Sequence, residues 1–267
     1  MSDIIQSLWI GERLSTMEIV SIRSFLAHGH DYHLYAYERI KNLPAGVAVH
    51  DASEILPHSS IFQYTGYATY AGFANFFRYK LLLERGGWWT DTDVFCLRPF
   101  EFASPYVFGS EASSRGIVPA SAVIRCPAGS KAMAHAWNVC SSKKPELLKW
   151  AETGPKLVAC VISLFALDSF LLPPAAFCPL SCHDWRKLLD PGTDWDFFEG
   201  SFAIHLWNEM WRRDGCDKDG SYPRGCTYER LKEMYLDLPP STEDPVDPQA
   251  ESVAWTELSP RRKAPKE

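Results

Sequence analysis

The sequence predicts an α/β protein whose central sheet is mixed but mainly parallel. Three observations carry this. Apolar, β-branched runs alternate with helix-like stretches through the first hundred residues. Helix-opening and helix-closing residues stand between those runs. The resulting order, strand–helix–strand–helix–strand, favours parallel pairing.

Residues 4–10 are apolar and β-branched at their ends, and Gly11 closes them as a first strand. Ser15-Thr16-Met17-Glu18 has the form of a capping box and opens a helix through Ile19, Ile22, Phe25 and Leu26. Gly29 suits the C-terminal end of that helix. Residues 32–37 read as a second strand and residues 47–50 as a short third. Asp51-Ala52-Ser53-Glu54 has the form of another capping box. A further helix is expected from about residue 67 to 85, ended by Gly86-Gly87, with a strand returning over 88–97. Beyond residue 100 the pattern loosens. Residues 120–126 read as a strand and 129–140 as a helix. Gly154-Pro155 places proline at a first helical position and opens an apolar helix to Asp168. Residues 201–207 read as a late strand.

The chain has 267 residues, 46% of them hydrophobic, enough for a full core. One folded unit is expected over 1–236. From residue 237 prolines recur among mixed charges, which cannot bury enough apolar area to offset ordering, so 237–267 is expected to be a mobile tail. A net charge of -6 argues against a phosphate-backbone binder, and no nucleic-acid partner is expected. The longest nearly apolar run, 157–167, is cut by Asp168 and is far shorter than the ~20 residues of a spanning helix. The N-terminus has no basic segment followed by an apolar one, so a cytoplasmic location is expected. Eight cysteines make no disulfide framework and are read as reduced thiols. Cys178, Cys182 and His183 are too loosely spaced for a zinc site.

Ligands in such sheets lie outside the carboxyl ends of the strands. That points at Trp9 to Gly11, at Asp51, and at the segment Gly86-Gly87-Trp88-Trp89-Thr90-Asp91-Thr92-Asp93. In extended chain Asp91 and Asp93 face the same side. Two close carboxylates repel unless a cation lies between them. Mg²⁺ or Mn²⁺ takes oxygen ligands and shares diphosphate oxygens with one or two carboxylates. A solvated turn accounts for a bare Asp-x-Asp equally well, so context decides. Asn75 and Arg78 are three apart on the preceding helix and share a face. They can reach sugar hydroxyls and phosphate oxygens, although an Arg paired with a nearby carboxylate is the plainer alternative.

Ser7-Leu8-Trp9-Ile10-Gly11, Phe73-Ala74-Asn75-Phe76-Phe77-Arg78-Tyr79, the Gly-Gly-Trp-Trp-Thr-Asp-Thr-Asp segment and Gly154-Pro155 together resemble the DXD-containing sugar transferases. That family spans initiating mannosyltransferases, α-1,4-galactosyltransferases and bacterial polysaccharide transferases. The resemblance runs over about residues 4–208. It implies a GT-A-like, Rossmann-type nucleotide-sugar-binding domain, a nucleoside diphosphate sugar as donor (UDP-hexose favoured over GDP-sugar), Mn²⁺ or Mg²⁺, and retention of anomeric configuration. It also implies a role in bacterial polysaccharide assembly, with a glycan or lipid-linked glycan as acceptor. Contact with a membrane would then be peripheral, and Arg261-Arg262-Lys263 could assist it.

Residue by residue, the resemblance implies that Trp9 stacks on the base and Arg78 contacts donor sugar or diphosphate. Asp91 would hold ribose and sugar hydroxyls, and Asp93 would bind the metal directly. His205, with Asp91, would complete the metal set. Trp207, Asn208 and Trp211 would close on the donor beside Asn75. Trp9, Trp211 and His205 would also suit a core. Many relatives have Asp where this chain has Asn75, and Ser121 stands where an Asn is expected. Glu111 and Asp168 read as surface or helix-end charges. Two rival functions stay open: a phosphohydrolase with Asp91 as nucleophile and Asp93 as acid, and a non-catalytic sugar-nucleotide binder.

Overall fold

A computed structural model describes residues 4–114 and 116–236. The chain runs β1 (Ile5–Trp9), α1 (Thr16–Ala27), β2 (Tyr32–Ala36), β3 (Val47–Asp51), α2 (Ala71–Arg85), β4 (Gly87–Thr90) and β5 (Val94–Cys96). It continues through β6 (Val107–Ser113), β7 (Gly116–Cys126), α3 (Lys131–Ser141), α4 (Pro155–Leu164), β8 (Ala203–His205), α5 (Asn208–Arg213) and α6 (Thr227–Tyr235).

Six strands form one sheet in the order β3-β2-β1-β4-β7-β6, and β5 pairs with β8 apart from it. The pairs β1–β2, β2–β3 and β1–β4 are parallel, while β7 runs antiparallel to β4 and β6. The expected mixed, mainly parallel α/β sheet is therefore present. Its central strands are covered on both faces, as parallel strands require. Successive strand residues point to opposite faces. Trp88 accordingly packs with Ile5, Val20 and Leu34 on the α1 side, and Trp89 with Leu8, Phe77 and Val158 on the α2–α4 side.

Local chemistry sets the ends. The Glu18 carboxylate accepts the Ser15 backbone N–H at 2.8 Å, opening α1. Gly86 ends α2 at φ +65°, and a Cβ there would stand 2.3 Å from the Ala128 backbone nitrogen. Only glycine fits that crossing.

Several expectations need correction. Helix α2 starts at Ala71, because residues 64–69 close a turn in which Tyr64 N–H donates to Thr69 O at 3.2 Å. The strand expected over 88–97 is two strands, β4 and β5, parted by a turn at 91–93. Asp51 caps only the short 3-10 turn Ala52–Glu54. The helix opened by Pro155 ends at Leu164, and Asp168–Phe170 is a separate turn. Strand β6 and helices α5 and α6 were not anticipated. The tail expected at 237–267, with Arg261, Arg262 and Lys263, lies outside the described residues. Among the described residues no helix is long and apolar enough to cross a membrane. All eight cysteines are unpaired by disulfides.

Candidate active site

The chain leaves β4 and turns back at once. Asp91 N–H donates to Ala122 O on β7 at 2.9 Å, and Asp91 O accepts Val94 N–H at 3.0 Å. Asp91 and Asp93 thus flank a tight turn and do not lie in the extended chain the sequence suggested. The turn still brings them together, and it meets His205. Donor atoms of Asp91, Asp93 and His205 all lie within 4.8 Å of one another.

Asp91 is held from the α2 side. Its Oδ1 accepts Arg78 Nη2 at 2.5 Å and Trp89 Nε1 at 2.7 Å. The Arg78 guanidinium lies 4.8 Å from the Trp89 ring centroid, within cation–π range. Arg78 Nη1 donates to Asn75 Oδ1 at 2.8 Å, and Asn75 Nδ2 donates to Thr153 Oγ1 at 3.3 Å. Arg78 is only 2% exposed, and its Nε is buried without a hydrogen-bond partner.

Asp93 is held from the other half of the chain. Its Oδ2 lies 3.2 Å from His205 Nε2 and accepts the Asn208 backbone N–H at 2.8 Å. Strand β8 seats His205 opposite Val94 of β5, and His205 N–H donates to Phe177 O at 3.0 Å. The His205 ring packs on Trp207 at 4.1 Å between centroids. Trp207 takes the left-handed conformation, φ +59°, and its Nε1 donates to Leu180 O at 3.0 Å. That turn aims the first N–H of α5 at Asp93.

The two carboxylates titrate in opposite directions. Burial pushes Asp91 above the usual carboxylate range, although Arg78 opposes it. Burial also acts against ionised Asp93, but His205 and the Asn208 N–H bring it below that range. Burial disfavours a charged His205, yet Asp93 holds it well above the ordinary imidazole value.

A cleft of about 520 Å³ joins these groups. Trp9, Asn75, Arg78, Asp91, Asp93, His205, Trp207 and Asn208 all line it. The Trp9 ring lies at the carboxyl end of β1, with the Lys218 ammonium 5.7 Å from its centroid. Trp211 does not reach the cleft. It is fully buried against Trp185 and Tyr228, and its Nε1 donates to Leu206 O at 2.8 Å. Trp207 stands before the helix in left-handed geometry, so the two rings share no helix face.

Asp168 is exposed at its turn, as expected, but Glu111 is not a surface charge: it lines the cleft. Thr153 and Trp89 also hold site residues and were missed. Gly154 stands close against the Asn75 amide. A Cβ there would lie 3.3 Å from Asn75 Nδ2 and 3.6 Å from Ser121 Oγ. Among the described residues Asp91, Asp93 and His205 are the only metal-capable group, and Cys178 is instead a neighbour of His205, 3.9 Å from Nδ1.

Fold and site define an α/β domain with a carboxylate–imidazole cluster at the carboxyl ends of its parallel strands. Residues 17–112, which include Asn75, Arg78, Asp91 and Asp93, match the family described as the glycosyltransferase sugar-binding region containing a DXD motif. No curated protein matches the chain. Among solved structures it is similar to the PaToxG glycosyltransferase, with 12% identity over 88% of this chain and 87% of that one and a TM-score of 0.47. It is also similar to the apo-form glycosyltransferase GlyE of Streptococcus pneumoniae TIGR4, with 10% identity over 87% and 62% of the two chains and a TM-score of 0.43. For the WbbM bifunctional glycosyltransferase the values are 10%, 88%, 52% and 0.42. The chain spans under two thirds of GlyE and about half of WbbM.

Proposed function

We propose that this protein transfers a hexose from a nucleoside diphosphate sugar, UDP-linked before GDP-linked, to a hydroxyl of a glycan or lipid-linked glycan, with retention. The observation that carries the proposal is the convergence of Asp91, Asp93 and His205 within 4.8 Å, in the cleft that Trp9 and Arg78 also line. Two carboxylates and an imidazole at that separation suit Mn²⁺ or Mg²⁺. When bound, such an ion supplies positive charge beside the leaving diphosphate.

The chain's own residues do the rest. Trp9 offers a ring face to the base. Arg78, locked by Asn75 and Asp91, lines the cleft and brings its positive charge to the donor oxygens. Asp91 remains an acceptor for ribose or sugar hydroxyls, and Trp207 and Asn208 fix the site around Asp93. The acceptor hydroxyl attacks on the leaving-group side. The anomeric carbon–diphosphate bond breaks, the new glycosidic bond forms, and a diphosphate oxygen takes the acceptor proton. The cytoplasm, where nucleotide sugars are made, is the proposed location.

The test is nucleotide release. The purified protein is incubated with UDP- and GDP-sugars and Mn²⁺, beside Asp93→Ala. Turnover of one donor, abolished by the substitution and by chelator, is expected. Failure to bind or turn over any nucleotide sugar would overturn the proposal.

A further inference from the structure

The cleft contains four carboxylates, Asp91, Asp93, Glu111 and Glu209, and three of them are engaged. Asp91 accepts from Arg78 and Trp89, and Asp93 from Asn208 beside His205. Glu209 accepts from Arg212 and Arg213 on its own helix. Glu111 alone makes no side-chain hydrogen bond or ion pair with any described residue. It is half-buried with its side chain in the cleft wall, and this partial burial pushes its carboxyl above the usual range, with His205 opposing only in part. An ionised carboxylate so placed accepts hydrogen bonds only, and no donor among the described residues occupies its oxygens, so they stay open to a ligand in the cleft.

The sheet order says which ligand could reach it. Trp9 ends β1, Asp91 follows β4, Ser121 lies on β7 and Glu111 on β6, and these strands are neighbours in that order. Strand β7 is antiparallel to both β4 and β6, so β6 runs in the direction of β4 and carries Glu111 toward the same rim. Strands lie ~4.8 Å apart, which puts β6 about 10 Å beyond β4, on the side away from Trp9. A donor laid with its base on Trp9 and its diphosphate at Asp91 and Asp93 extends its sugar over β7. Strand β6 is then what remains for the second substrate.

We infer that Glu111 binds the acceptor, its carboxylate accepting hydrogen bonds from neighbouring hydroxyls of a carbohydrate. This rests on the donor reading proposed above. A polyhydroxyl ligand supplies paired O–H donors that both carboxylate oxygens can use at once. Hydrogen bonds to a charged group are the strong kind. Glu111 is thereby a specificity-determining position, separate from the groups that hold the donor.

The experiment is steady-state kinetics with the UDP- or GDP-sugar that the wild type turns over and Mn²⁺. Methyl α- and β-glycosides of glucose, galactose and mannose serve as acceptor probes. Wild type, Glu111→Ala and Glu111→Gln are compared, with thermal unfolding as the check on folding. Glu111→Ala should raise the acceptor KM about tenfold or more, as expected for a lost charged hydrogen bond, with a much smaller change in donor KM. Glu111→Gln, which keeps one acceptor oxygen, should fall between and stands in if the alanine variant fails to fold. The inference is overturned if donor and acceptor KM rise together, if neither moves, if no glycoside accelerates turnover by the wild type, or if a glycosyl adduct forms on Glu111. Absence of any nucleotide-sugar binding by the wild type would instead sink the donor reading on which it rests.

Discussion

The two halves of the molecule build one site by different means. Residues 5–141 contain seven of the eight described strands and the helices α1 to α3, and periodic burial fixes where their side chains point. Residues 142–226 contain α4, a three-residue strand, a six-residue helix and several short 3-10 turns. Even so, the irregular half holds Asp93 as firmly as the regular half holds Asp91. The reason is the β5–β8 pair, in which Val94 faces His205 and Leu206 N–H donates to Asp93 O at 2.8 Å. Regular packing places the acidic turn. A short strand pairing across the halves supplies its imidazole. Where backbone hydrogen bonds tie an irregular segment to a sheet strand, precision does not need long elements.

Breaking the regular half should cost most. Gly86→Ala puts a Cβ 2.3 Å from the Ala128 nitrogen at a positive φ. A loss of about 3 kcal/mol or more is expected from clash and strain together, read as a fall in urea midpoint with turnover falling beside it. Breaking the joint should cost less. His205→Ala leaves the buried Asp93 carboxylate with backbone N–H donors alone, and unpairing a partly accessible buried charge of this kind should cost about 2–3 kcal/mol in EDTA. His205→Gln, which can still donate, should recover part of it.

A third comparison separates packing from binding within the irregular half. Trp211→Phe removes a buried indole and its bond to Leu206 O, so about 1–2 kcal/mol of stability should go while donor KM stays near the wild-type value. Trp207→Phe should raise donor KM more than it lowers stability, because the indole supports His205 and lines the cleft.

The smallest effect belongs to the sheet edge. His33 Nδ1 and His50 Nε2 lie 2.9 Å apart on β2 and β3. Burial lowers both values, and proximity to His50 lowers His33 further. The folded protein therefore binds fewer protons here than the unfolded chain. The stability this pair contributes is full above the ordinary imidazole value near 6.5 and declines as pH falls through and below it. Both rings are half-exposed, so the effect should stay under about 1 kcal/mol. Urea midpoints at pH 7.5 and 5.5 should differ less in His50→Phe than in the wild type.

Legibility in the sequence followed the range of the contacts involved. Gly86-Gly87, the capping box at Ser15, the shared face of Asn75 and Arg78 and the closeness of the two Asp-x-Asp carboxylates are local, and each could be read from a few consecutive residues, whereas the turn between β4 and β5 could not. The family resemblance, and no periodicity, pointed to His205. Trp211 was misassigned because its neighbours, Trp185 and Tyr228, are remote in sequence. Glu111 was read as surface because β6 contains Gly109 and three small polar or Ala positions, which blur the alternation of a strand. Its place in the cleft depends on β6 pairing with β7. Thr153 escaped for the same reason, since only the fold brings it to Asn75.

Mn²⁺ binding in the presence of UDP, followed by electron paramagnetic resonance of the free ion, addresses the joint between the halves most directly. The wild type should bind one ion, and Asp93→Asn and His205→Gln should each weaken it at least about tenfold. Binding by His205→Gln equal to that of the wild type would contradict the view that both halves of the chain build the metal site.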